Sequence, residues 1–119
     1  MDMPVISEVV HGARSFWLKN DRVELFITEI GGHLGPVAFK LKHRWVRPYS
    51  LPPWTATEVS KDVQPILRIA RGDFFCLPFG ESRGIPYVHG DTANLDWRPV
   101  EVDFNQLVLE IEMKSIKGK

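Results

Sequence analysis

Val23-Glu24-Leu25-Phe26-Ile27-Thr28 sets Val, Leu and Ile in alternation with Glu, Phe and Thr. A two-residue period sends successive side chains to opposite faces, which predicts a β-strand rather than a helix. Residues 107–113 repeat the pattern with a cleaner division. Leu107, Leu109, Ile111 and Met113 share one face, while Val108, Glu110, Glu112 and then Lys114 share the other. One apolar and one mostly charged face suit a sheet with one side in water. Residues 15–19, 36–41, 45–49, 66–69 and 98–103 are further strand candidates. No window sustains the i, i+3, i+4, i+7 apolar stripe of an amphipathic helix.

The punctuation between these segments agrees. Asn20-Asp21 separates two strand candidates as a hairpin turn does, Gly31-Gly32 ends the strand that starts at Val23, and residues 42–44 and 104–106 separate later ones. Many of the nine prolines and nine glycines fall in two long irregular stretches, 50–64 and 78–94. Loops of that length in a compact domain are functional or disordered, and their Trp, Phe and Tyr content argues against disorder. The expectation is an all-β, antiparallel β-sandwich in a single domain, residues 1–119.

Composition narrows the function classes. Fifteen basic and fifteen acidic residues leave a formal net charge of zero. A nucleic-acid footprint needs a basic excess on one face, and an anionic membrane likewise attracts basic segments, so neither partner is expected. Cys76 is the only cysteine, which excludes an intrachain disulfide. His11, His33, His43 and His89 are scattered, without the spacing of a structural zinc site, so no metal is expected. Met1-Asp2-Met3-Pro4 lacks the basic and apolar regions of a signal peptide, and no apolar run reaches bilayer length, which makes the cytoplasm the default location.

Two segments carry the chemistry: Arg71-Gly72-Asp73-Phe74-Phe75-Cys76-Leu77-Pro78-Phe79-Gly80 and His89-Gly90-Asp91-Thr92-Ala93-Asn94-Leu95-Asp96-Trp97. Each residue has a plain structural reading. Phe74, Phe75, Leu77 and Phe79 read as core, Cys76 as a small buried hydrophobe, His89 as a turn residue and Arg71 as an ion-pair partner. Together they suit a sugar, which offers apolar C–H faces and a rim of hydroxyls. Trp54, Phe79, Tyr87 and Trp97 are candidate platforms. Arg71, His89, Asn94 and Asp96 are candidate hydrogen-bonding groups.

Arg71-Gly72-Asp73 running to Pro78-Phe79-Gly80, then His89-Gly90, Asn94 and Trp97, resembles the paired motifs of galactose-mutarotase-like (aldose 1-epimerase) proteins. It is most similar to the branch that contains hexose-6-phosphate epimerases. Val23-Glu24-Leu25 leading to Ile30-Gly31-Gly32-His33-Leu34 resembles that family's opening strand and glycine turn, so the resemblance covers residues 23–116. It implies a partial galactose-mutarotase-like supersandwich, the N-terminal part of a longer fold. It further implies His89 and Arg71 as catalytic residues converging in one cleft, and Asn94, Trp97, Phe79 and Asp73 as substrate-binding residues. It implies a small-molecule sugar as ligand and no cofactor.

In that family a carboxylate base and a histidine acid open and reclose the sugar ring at the anomeric carbon. The carboxylate and a second histidine lie in the later part of the family's fold, so the 119 residues are expected to be inactive alone. Asp91 and Ala93 stand where the family often has an aromatic residue and an Arg, a departure that weighs against a phosphate clamp. A strand cut from its sandwich leaves unpaired edges, which predicts homo-oligomers through exposed strand edges, with 107–113 the foremost. The alternatives are a non-catalytic carbohydrate-binding module and a purely structural β-domain.

Overall fold

The computed structural model of the protein describes residues 6–103 and 105–115. Five antiparallel strands follow one another as a meander: β1 (Ser7–Val10), β2 (Ala13–Lys19), β3 (Val23–Thr28), β4 (Leu34–Lys40) and β5 (Trp45–Val46). A short helix, α1 (Pro65–Ile69), and a single 3₁₀ turn (Asp91–Ala93) interrupt the long loop that follows. A second, two-stranded antiparallel sheet, β6 (Arg98–Val102) and β7 (Leu107–Glu110), completes the described chain. The expected all-β antiparallel class is therefore what forms. The two sheets join through backbone bonds, Gly31 N to Leu95 O at 2.8 Å and Trp97 N to Glu29 O at 2.8 Å, around an Ile30–Asp96 bridge.

Each turn has a local cause. His11 and Gly12, both at positive φ (50° and 80°), form a two-residue loop between Val10 and Ala13. Positive φ at both central residues gives the primed turn whose twist matches the strands it joins. The next turn is built by Asn20, whose Oδ1 accepts from the backbone N–H groups of Arg22 and Val23 at 2.8 and 2.9 Å. Such a side-chain turn is the usual reason for Asn at this place.

Register sorts the side chains of the large sheet. Phe16 faces Ile27, Leu18 faces Leu25, and Leu25 faces Val37, which places these five on one face. The other face carries Ala13, Ser15, Trp17, Glu24, Phe26, Thr28 and Ala38. The loops cover one end of this second face: Ala13, Ala56 and Ile69 form a buried cluster, and Ser15 and Thr28 have no exposed surface. At the other end Trp17 stacks on Phe26 at 6.3 Å and donates to the Glu24 carboxylate. Every residue from Val23 to Ile27 is half-buried, so the alternation of β3 does not resolve into an inner and an outer face.

Three expectations are corrected. Residues 66–69 form a helix, not a strand. Pro65 occupies the first helical position, where its missing N–H costs nothing, and the Asn94 side chain accepts from the N–H of Ile66 at 3.0 Å. Ile66 and Ile69, three apart on one helical face, are both buried. The last strand ends at Glu110, short of Met113. Beyond it the N–H groups of Lys114 and Ser115 bond the Asp91 carboxylate at 2.6 and 2.7 Å. Finally, β1 is a strand the apolar pattern leaves unannounced. Phe104, within the expected turn 104–106, and Ile116, at the end of the resemblance, lie outside the described residues.

The shape is broad and thin, 49 × 37 × 21 Å with a radius of gyration of 15.1 Å; a compact domain of this length has about 13.5 Å. Its 8199 Å² of accessible surface compares with about 6,600 Å² for a compact monomer of the same mass. The best-buried large side chain of the sheet is Phe16, at 4% exposure. Phe16→Ala is expected to lower stability by about 3–5 kcal/mol through lost burial and the cavity left behind. Val9→Ala, at a site 64% exposed, should stay within about 0.5 kcal/mol. Urea-unfolding midpoints of the two variants check this.

Candidate functional site

Residues 71–80 are pinned at their start by steric need. Asp73 exchanges backbone bonds with Leu34 (2.7 and 3.3 Å), and Gly72, at φ 50°, lies so close that a side chain would collide with the Leu34 carbonyl. Gly90, at φ 79°, is confined in the same way by the Leu77 carbonyl. Only a residue without a Cβ fits such positions. The Arg-Gly and His-Gly pairs of the two motifs therefore dock their segments onto β4 and onto each other.

Arg71 is 3% exposed, and all three guanidinium nitrogens donate to backbone carbonyls. Nε reaches Ile69 at 2.8 Å, Nη1 reaches Val10 at 2.7 Å and Nη2 reaches His11 at 3.2 Å. The side chain thus ties α1 to the β1–β2 turn, and burial lowers its pKa. Its backbone N–H approaches Nδ1 of His33 at 3.4 Å, while Nε2 of His33 donates to Ala93 O at 3.0 Å.

His33 has no exposed surface, and its ring stacks on Phe74 at 4.3 Å. Burial is the main force that pushes its pKa down to about 4; the charges of Arg71 and His89 add to it, and the bond to Ala93 partly opposes it. Phe74 in turn meets the edge of His89 at 5.8 Å, and His89 meets Phe79 at 4.9 Å. Four rings thus lead from the fully buried His33 to Phe79, which is 79% exposed. His89 is half-buried at φ 65°, and its Nδ1 accepts from Gly80 N–H at 2.9 Å. In the neutral ring this acceptance leaves the proton on Nε2, which serves as a donor.

The residues singled out from the sequence divide into two groups. Asn94 is buried; its Oδ1 caps Ile66, and its Nδ2 donates to Val88 O and Gly90 O at 2.7 and 2.8 Å. Trp97 donates to Thr92 O at 2.8 Å and lies directly against Gly32. With Arg71 these form a scaffold. His89, Phe79 and Asp73 reach the surface. Arg71 and His89 are linked indirectly, through His33 and Phe74, and neither lines the cavities of about 590, 200 and 240 Å³ among the described residues. Asp96 lines the first two and Tyr87 the third.

Cys76, expected to be buried, is half-buried because its segment lies on the surface, and the burial it has raises its thiol pKa. Asp91 is fully buried. Its burial opposes ionisation, but hydrogen bonds from Ser115 and Lys114 and the Lys114 charge hold the carboxyl below its usual range. His33 is the residue the sequence understates; its one signal is its place directly after the Gly31-Gly32 turn. Among the described residues no group of three His, Cys, Asp or Glu side chains is placed to hold a metal ion, and no helix is long and apolar enough to cross a membrane. No protein-family model, characterised protein or solved structure matches the chain.

The His33 pKa has a consequence for stability. The folded value of about 4 lies below the unfolded 6.5, so below pH 6.5 the unfolded chain binds the extra proton. The stabilisation is full above pH 6.5 and is lost as pH falls toward 4, about 3 kcal/mol over that window. The expected outcome is a falling urea midpoint between pH 6.5 and 4, with a flatter profile in His33→Gln.

Proposed function

We propose that the chain is a carbohydrate-binding, aldose 1-epimerase-like β-domain that holds a hexose at the corner formed by Phe79 and His89. The observation that carries this is the pairing of a largely exposed ring with a fixed polar neighbour: Phe79 is 79% exposed and tilted against His89 at 4.9 Å, and His89 Nδ1 is held by Gly80. An apolar sugar face packs on the ring, while the imidazole Nε2–H donates to a ring oxygen or hydroxyl.

Ring opening needs an acid and a base on opposite sides of the anomeric centre. His89 is the acid of this proposal. Asp91, the carboxylate nearest to it in sequence, already accepts two backbone bonds from Lys114 and Ser115. These residues alone therefore bind a hexose without turning it over, and Arg71 contributes by holding the scaffold. In an NMR titration with glucose and galactose, signals of Phe79 and His89 are expected to move. Phe79→Ala should weaken binding about tenfold, the equivalent of about 1.4 kcal/mol. Anomer exchange should stay at the buffer rate. Unmoved Phe79 and His89 signals would refute the binding site, and exchange well above buffer would refute the absence of turnover.

A further inference from the structure

A net charge of zero is a sum over the chain, and the charges are unevenly placed. No acidic residue stands between Glu29 and Glu58. Within that span Lys40, Lys42, Arg44 and Arg47 fall in eight residues, on and around the β4–β5 hairpin. The hairpin closes through Leu41 N–H to Arg44 O at 2.7 Å, and its turn, residues 41–44, is exposed throughout. The neighbouring β2–β3 turn adds a fifth cation, Arg22, whose carbonyl accepts from Lys40 N–H at 2.7 Å. All five basic residues are exposed, and none forms an ion pair among the described residues. Asp21 is the one acidic residue in either turn. Glu24, farther along β3, is engaged by Lys19 and Trp17.

Apolar side chains sit among these cations. Phe39 and Leu41, 37 and 47% exposed, stand on either side of Lys40, and the half-buried Trp45 is paired with Lys40 across the hairpin. We propose that this hairpin docks the protein on an anionic bilayer. Leu41 and Phe39 enter the boundary between headgroups and acyl chains, while Arg22, Lys40, Lys42, Arg44 and Arg47 meet the anionic headgroups. A cluster of about four to eight Lys or Arg is the footprint that such a surface attracts. Long basic side chains keep their heads among the headgroups while their stems lie on apolar surface, and Trp favours the same level. The apolar tip selects lipid over nucleic acid. A single strand lies in a basic groove floored by aromatic faces on which its bases stack. Here the cations surround a hairpin turn, and the most exposed apolar group among them, Leu41, has no ring for a base to stack on.

The docking surface shares no residue with the Phe79–His89 corner, so it stands or falls apart from the hexose reading. Co-sedimentation of the full chain with vesicles tests it. Phosphatidylcholine vesicles with about 25% phosphatidylserine are expected to bind the chain and pure phosphatidylcholine vesicles to leave it free, with binding lost as salt rises from about 0.05 to 0.5 M. Each Lys or Arg near such a surface strengthens binding about fivefold, so the double variant Lys42→Gln, Arg44→Gln should bind about 25-fold more weakly. Leu41→Asp should cost at least about tenfold. All three positions are exposed, and unchanged urea midpoints would show that these losses are not unfolding. A readout without mutation comes from bicelles of the same lipids carrying a spin label. In the bound wild-type chain the Leu41 methyl signals are expected to broaden well before those of Val9, which lies on β1 at the opposite edge of the sheet. Absent or equal binding to the two vesicles, binding unmoved by the double variant, Leu41 broadened no more than Val9, or tighter binding to a single-stranded oligouridylate than to the anionic vesicles at the same salt would overturn the proposal.

Discussion

The Arg71 guanidinium on the carbonyls of Val10, His11 and Ile69 is the contact on which the remaining architecture depends. A buried cation is costly unless its hydrogen bonds are made, and here each nitrogen has an oxygen. Those oxygens belong to the first hairpin and to α1, elements far apart in sequence. The same residue offers its backbone N–H to His33 and adjoins Gly72, which is pressed against β4. The hairpin, the helix and the chemistry-bearing loop are thus held at one point by a side chain with no freedom to leave it.

From that point the aromatic rings carry position outward. His33 is neutral because it is buried, and a neutral imidazole is able to donate at one nitrogen and accept at the other. It does both, and presents a flat face to Phe74. Phe74 sets the edge against which His89 rests, and Gly80 fixes the rotation of the His89 ring. The orientation of a surface histidine is therefore decided several residues away, inside the loops. Asn94 does comparable work for the backbone, satisfying the α1 N-terminus and two loop carbonyls with one amide.

The strands were the legible part of this chain. In β2, β3, β4 and β6 the backbone follows side chains whose apolar spacing or β-branching suits a pleated surface. β1 is harder to read because its four residues, Ser-Glu-Val-Val, are too few to show a period. Its turn, His11-Gly12, works only because a histidine adopts positive φ beside a glycine. Pro65-Ile66-Leu67-Arg68-Ile69 has strand-like composition and becomes a helix because Asn94 caps it and both buried isoleucines fall on one helical face. That outcome depends on a residue 28 positions away.

The candidate site divides along the same line. The sequence by itself determined which residue types are present, the glycines that permit close docking, and the charge balance; it read Phe75, Leu77 and Phe79 as core, and the fold leaves all three exposed. Only the tertiary structure decided which polar groups face water. Arg71 and Asn94 have side chains fully capable of binding a sugar, yet the fold engages their donors on its own carbonyls. His89 and Phe79, one half-buried and one largely exposed, are the pair left at the surface. The physical reason is that burial obliges a polar group to find partners inside the protein, and where those partners lie is a property of contacts between distant segments, which a local pattern of residues does not encode.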